Sequence, residues 1–94
     1  MKKIIKQLAP QYEEGKLVTT KTSFDIIIWS DGFDAIDYHI VDRLYHNEVA
    51  IVIACEDKKL LSQGWVRLLN ARGKIGYING TDLKGIVNLN AHVI

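Results

Sequence analysis

The sequence predicts an all-β fold, a small barrel of five or six short strands joined by tight turns. Three observations predict it. Ninety-four residues, 48% hydrophobic and 24% charged, suffice for one core and one only. The apolar residues fall in short β-branched and aromatic runs rather than in helical stripes. Glycine, asparagine and aspartate punctuate those runs at short intervals, which favours a barrel over a sandwich in a chain this small.

Each element follows from its residues. In MKKIIKQLAP the positions of Ile4, Ile5 and Leu8 have helical spacing, and Pro10 ends it, so residues 1–15 read as an N-terminal extension with a short helix or turn. The barrel is expected over residues 16–94. From Lys16 to Trp29, valine, threonine, phenylalanine and isoleucine predict one long strand or two in succession. Asp31 to Asp37 is a loop, and Tyr38 to Tyr45 is a strand or irregular turn. Val49 to Cys55 is a strand closed by the charged turn Glu56-Asp57-Lys58-Lys59. Trp65 to Asn70 sets Val66 and Leu68 on one face and Trp65, Arg67 and Leu69 on the other. Gly73 serves a hairpin turn, Lys74 to Ile78 returns as a strand, and Asn79 to Leu83 makes a tight or 3₁₀ turn. Lys84 to Val93 supplies the last strand.

GWVRLLNARGKIGYINGTDL, Gly64 to Leu83, resembles the C-terminal half of bacterial SH3-like (SH3b) domains. Gly64-Trp65, Gly76-Tyr77-Ile78 and Leu83 stand where that family has its Gly-Trp strand, its Gly-aromatic-aliphatic strand and the end of its 3₁₀ turn. Leu44 to Val49 looks like the family's diverging turn, with Asn47 where glycine is usual. The resemblance covers roughly residues 17–88. It implies a five-stranded, partly open SH3-like barrel that binds peptides or packs against other domains without catalysis. Asn79 and Asp82 replace the proline and tyrosine that grip polyproline ligands in eukaryotic relatives. Trp29-Ser30-Asp31-Gly32 replaces the Arg-x-Gly-Pro-like start of the long loop in wall-binding relatives.

Catalytic chemistry finds no pattern to rest on. His39, His46 and His92 form no recognisable dyad with Ser23, Ser30, Ser62 or Cys55, and no metal-ligand spacing appears. Asp31, Asp34 and Asp37 lack the order of a calcium loop, and neither glycine-rich phosphate motif occurs. The expectation is a protein that is not an enzyme and needs no cofactor or metal. One cysteine offers no internal disulfide. The N-terminus has no signal-peptide h-region, and the longest apolar run, Val49 to Cys55, is far below the ~20 residues of a membrane span. A cytoplasmic or virion setting with no membrane partner is therefore expected.

The net charge of +1 hides a segregation. Residues 1–24 carry five lysines against Glu13 and Glu14, residues 25–57 carry eight acids against Arg43, and residues 58–94 carry six basic residues against Asp82. Mutual neutralisation across the fold would produce this, and so would a dipolar docking surface. The acidic loop Asp31, Asp34 and Asp37 would then meet a basic partner, beside Trp65, Arg67 and Tyr77. Both faces of Val49 to Cys55 are apolar, though a lone barrel covers only one. Ala50, Val52 and Ala54 are read as the second face, covered by Ile4, Ile5 and Leu8 or by a neighbouring subunit. The reading is an interaction or structural subunit of a homo- or hetero-oligomeric assembly, such as a phage virion or tail. A peptide- or peptidoglycan-binding module is the first alternative. A nucleic-acid-binding barrel is the second, held back by the acidic middle of the chain.

Overall fold

The computed structural model describes residues 11–32 and 38–86. One seven-stranded antiparallel sheet curls on itself into a small barrel-like fold, in the order β3-β2-β6-β5-β4-β1-β7. Its strands are β1 (Leu17–Thr20), β2 (Ile26–Trp29), β3 (Ile40–Leu44), β4 (Ala50–Val52), β5 (Trp65–Leu69), β6 (Ile75–Asn79) and β7 (Leu83–Gly85). A short helix, α1 (Lys58–Ser62), follows β4, and a 3₁₀ turn (Gly80–Asp82) precedes β7. Seven strands stand where five or six were expected: Lys16 to Trp29 holds two strands, β1 and β2, and β2 pairs with β3 as a hairpin. Of the expected N-terminal helix, acidic loop and last strand, residues 1–10, 33–37 and 87–94 lie outside the described residues.

Every strand sends a side chain into one core: Val18, Ile28, Leu44, Ala50, Val52, Val66, Leu68, Ile78 and Leu83. The alternation expected along β5 is present, with Val66 and Leu68 inward. The parity expected of β4 is reversed. Ala50 and Val52 are buried in the core, while Val49 and Ile51 face out and Ala54 is exposed. With apolar residues on both sides of this run, periodicity cannot decide which side turns inward. The neighbouring strands decide it, since Ala50 lies opposite the buried Val18 of β1 and Val52 opposite the buried Leu68 of β5.

The charged turn expected at residues 56–59 is instead the start of α1. The Asp57 carboxylate accepts from the backbone N–H of Lys59 (3.0 Å) and Leu60 (3.2 Å), and Leu60 is buried. Gly64, at φ +86°, ends the helix by donating to the Leu61 carbonyl (3.0 Å), then accepts from Gly80 N–H (2.8 Å).

Two polar clusters fix the β2–β3 hairpin to the barrel. Asn47 takes the left-handed conformation at φ +66° and closes a turn in which Glu48 N–H reaches the Tyr45 carbonyl (2.8 Å). Thr19 Oγ1 donates to the Glu48 carbonyl (2.7 Å), and Thr20 Oγ1 lies 3.3 Å from His46 Nδ1, tying that turn to β1. On the opposite side Arg72 Nε reaches Asp42 (2.8 Å), its Nη2 reaches Glu48 (3.1 Å) and the Arg43 carbonyl (2.6 Å), and its guanidinium lies 4.6 Å from the Tyr45 ring centre. The same contacts occupy part of the free edge of β3, which discourages pairing with another chain.

The segment before β1 closes the end of the barrel. Tyr12 packs on the core and its hydroxyl donates to the Leu83 carbonyl (2.9 Å), while the Gln11 amide donates to the Leu61 carbonyl. Gln11 and Tyr12, within the expected N-terminal extension of residues 1–15, are thus bonded to α1 and β7.

Candidate functional site

The outer face of β5, β6 and β2 brings the aromatic residues together. Strand register pairs Arg67 with Tyr77, Tyr77 with Trp29, and Trp65 with Asn79. Directly opposed residues share a face, so Trp65, Arg67, Tyr77, Asn79 and Trp29 lie side by side outside the core. Trp29 also meets Tyr38 edge to face, with ring centres 5.4 Å apart and planes at 71°.

A half-open cleft of about 250 Å³ lies between the start of the hairpin and the 3₁₀ turn. Phe24, Ile27, Trp29 and Trp65 give it apolar walls, and Asp25, Asn79 and Asp82 border it. Phe24 is 63% exposed, the most exposed of the large hydrophobic residues described, and nothing in the core requires it there. Local bonds set the polar rim. Asp25 Oδ1 accepts from His46 N–H (2.8 Å), and Asn79 Oδ1 accepts from both the N–H (3.1 Å) and the hydroxyl (2.8 Å) of Thr81. Those bonds leave the Asp25 carboxylate with accepting capacity to spare.

Trp65, expected in a binding groove, is only 5% exposed. It forms a wall shared by the cleft and a second hollow of about 260 Å³, bounded by Gln11, Tyr12, Leu61 and Val52. Arg67 and Tyr77 border a third, polar hollow of about 300 Å³ with Ala54 and Glu56. There Arg67 Nη1 donates to the Ala54 carbonyl (3.0 Å). Burial, and then the neighbouring Cys55, raise the Tyr77 phenol above its ordinary value, so it remains a neutral donor. The Cys55 thiol points to the Asp57 carbonyl at 3.7 Å.

Of the three loop acids, Asp31 is near enough to Tyr77 to disfavour its ionisation further, and it caps the N–H of Gly32 (2.8 Å). Asp34 and Asp37 lie outside the described residues, as do Ile4, Ile5 and Leu8. Ala50 and Val52, expected at an interface, belong to the core. The outward aliphatic residues of the sheet form a different row, Leu17, Ile51, Leu69 and Ile75, in register across β1, β4, β5 and β6. Sequence reasoning missed Phe24, Asp25 and Trp29 as site residues. The available signal was an aromatic-acid pair ahead of an apolar run, weak until the hairpin carries it beside the 3₁₀ turn.

Among the described residues no three of His, Cys, Asp and Glu gather closely enough to hold a metal ion, and no helix is long and apolar enough to cross a membrane. No family model, curated protein or solved structure matches the chain.

Proposed function

We propose that this chain is a non-enzymatic, SH3b-like protein-interaction module, a subunit that joins a larger assembly by taking a peptide segment of its partner into the Phe24–Trp65 cleft. The carrying observation is the cleft itself, an apolar trough with an exposed phenylalanine at its lip and hydrogen-bonding groups along one side. The ladder order supports the SH3b reading. Without the inserted hairpin, five antiparallel strands remain in the order β7-β1-β4-β5-β6, the number that the resemblance implies, and Asn47 holds a positive φ in the turn likened to the diverging turn. Single-stranded nucleic acid fits this surface less well, because Asp25, Asp31, Glu56 and Asp82 stand among the rings and repel phosphate.

The test is selection of binders from a displayed random-peptide library, followed by titration of the selected peptide against wild type and Phe24→Ala. Binding weakened at least tenfold by Phe24→Ala is expected, with quenching of Trp29 or Trp65 emission. A library that yields no binder, or a peptide indifferent to Phe24→Ala, refutes the proposal. Soluble peptidoglycan fragments titrated in parallel probe the alternative ligand of the same family.

A further inference from the structure

The cleft has a polarity that selects its ligand. Two carboxylates, Asp25 and Asp82, border it, and no lysine or arginine does. Asp25 directly precedes β2 and Asp82 belongs to the 3₁₀ turn, so each of the two elements that flank the cleft supplies one acid.

Neither acid is neutralised by the described chain. Asp25 commits one oxygen, Oδ1, to the N–H of His46 (2.8 Å), an uncharged amide. Asp82 is half-buried, and among the described residues its carboxylate meets neither a hydrogen-bond donor nor a cation. Lys21 bonds to the Asp82 carbonyl through its backbone N–H (2.8 Å) and forms no ion pair with the side chain. The carboxylate oxygens are not sealed from outside. By contrast Asp42 and Glu48 are both paired, with Arg72 at 2.8 and 3.1 Å. A carboxylate drawn partly out of water beside apolar walls, with no counter-charge, gains most from a ligand that brings one.

We infer that the cleft takes a basic side chain, lysine or arginine, between Asp25 and Asp82, with an adjacent aliphatic side chain laid against Phe24 and Ile27. The inference rests on the cleft being a binding surface and specifies the chemistry of what binds there, a short basic-aliphatic stretch of a partner protein. At about 250 Å³ the cleft is smaller than the ~300–1,000 Å³ of sites that enclose a whole small molecule, and it suits one or two side chains of a peptide. Trp29 and Trp65 in its walls add to the attraction for a cation, tryptophan being the aromatic residue that binds cations best. Recognition of this kind needs no proline, and an acidic segment would be turned away by both carboxylates.

The test begins by sequencing the peptides that the displayed library yields against wild type, which should share a lysine or arginine beside an isoleucine, leucine or valine. One such peptide is then titrated against Asp25→Asn/Asp82→Asn and against Asp82→Asn alone. Asparagine keeps the oxygen that accepts from His46, and unchanged far-ultraviolet spectra and urea midpoints check the fold; the single variant removes no bond and serves where the double one is destabilised. Binding should weaken at least tenfold in the double variant and at least threefold in the single one. For wild type it should also weaken several-fold between about 0.05 and about 0.5 M salt, an effect that the double variant should lose. Replacing the basic residue of the peptide with norleucine should reproduce the tenfold loss against wild type and cost little more against the double variant, because the two changes remove the same interaction. Peptides that depend on Phe24 yet carry no basic residue, or a peptide bound equally by wild type and both aspartate variants, overturn the inference and leave the peptide-binding reading standing. A library that yields no binder overturns both.

Discussion

Replacing Gly76 by alanine should be among the most damaging single-methyl changes in this protein. Gly76 is buried in β6, opposite Leu68, at the place where β2 crosses to pair with β6. A Cβ there would stand 2.5 Å from Ile28 Cγ2 and 2.6 Å from the Trp29 carbonyl oxygen. Ordinary carbon contacts lie at ~3.5–4.0 Å, so about 1 Å must be found. Ile28 is fully buried and cannot swing away, and the carbonyl belongs to backbone, so β2 itself has to retreat. Overpacking of this kind costs about 1–3 kcal/mol, and partial loss of the β2–β6 pairing adds to it, against a gain of at most ~1 kcal/mol from replacing a glycine in a strand. The expected net loss is about 2–4 kcal/mol, or roughly 8–32 °C in Tm for a domain of this size. Gly73→Ala is the control. Its Cβ meets nothing within 4 Å, and only its φ of +77° is strained, at about 1–2 kcal/mol. Urea denaturation followed by tryptophan emission measures both variants. A loss below ~1 kcal/mol for Gly76→Ala, or a loss no larger than that of Gly73→Ala, would refute the argument from close approach.

Two further outcomes follow from the core and from the Arg72 cluster. Leu68→Ala, at a fully buried position, should cost about 2–5 kcal/mol by chemical denaturation, while Arg67→Ala beside it on the outer face should cost under ~1; equal losses would mean that the strand faces are misassigned. The Asp42 carboxyl is held at about 2, below the ordinary aspartate value of 3.8, by the backbone N–H of Arg43, then by Asn70 and Arg72. Because the folded value lies below the unfolded one, its contribution to stability is complete above about pH 4 and is lost as pH falls through about 2. Asp42→Asn should therefore flatten the acid limb of the stability profile between pH 4 and 2, and an unchanged limb would remove Asp42 from the cluster's role.

How much of this was legible in the chain depends on how local the deciding contacts are. The turn at Gly73, the 3₁₀ turn after Asn79 and the inward face of β5 rest on residues within a few positions of one another, and periodicity and turn chemistry reach that far. Helix α1 was also local, with Asp57 as its cap and Leu60 as its buried residue, but five residues are too few for a helical stripe to stand out against a charged run. The face of β4 was beyond reach because Val49 to Ala54 offers apolar side chains on both sides, and only contact with β1 and β5 chooses between them. The cleft is the least local feature. Phe24 and Asp82 are far apart in sequence and meet because the hairpin folds back over β6, a pairing that no single segment encodes.

The position of β1 bears on how the protein comes off the ribosome. β1 is the first strand described, yet it lies between β4 and β7, and β7 is the last strand described. The Tyr12 hydroxyl waits across 71 positions for the carbonyl of Leu83. A nascent chain that has emerged only as far as β6 can pair β5 with β6 and fold the hairpin, but one edge of β1 stays bare and the floor of the barrel stays open. Such non-local closure is characteristic of proteins that fold in milliseconds to seconds rather than microseconds. During translation the interval is set by elongation, at ~5–20 residues per second. Until Leu83–Gly85 have followed β6 out of the ribosome, the growing polypeptide presents an unsatisfied strand, and that is when a chaperone, or a second nascent copy on the same message, has its opportunity to bind.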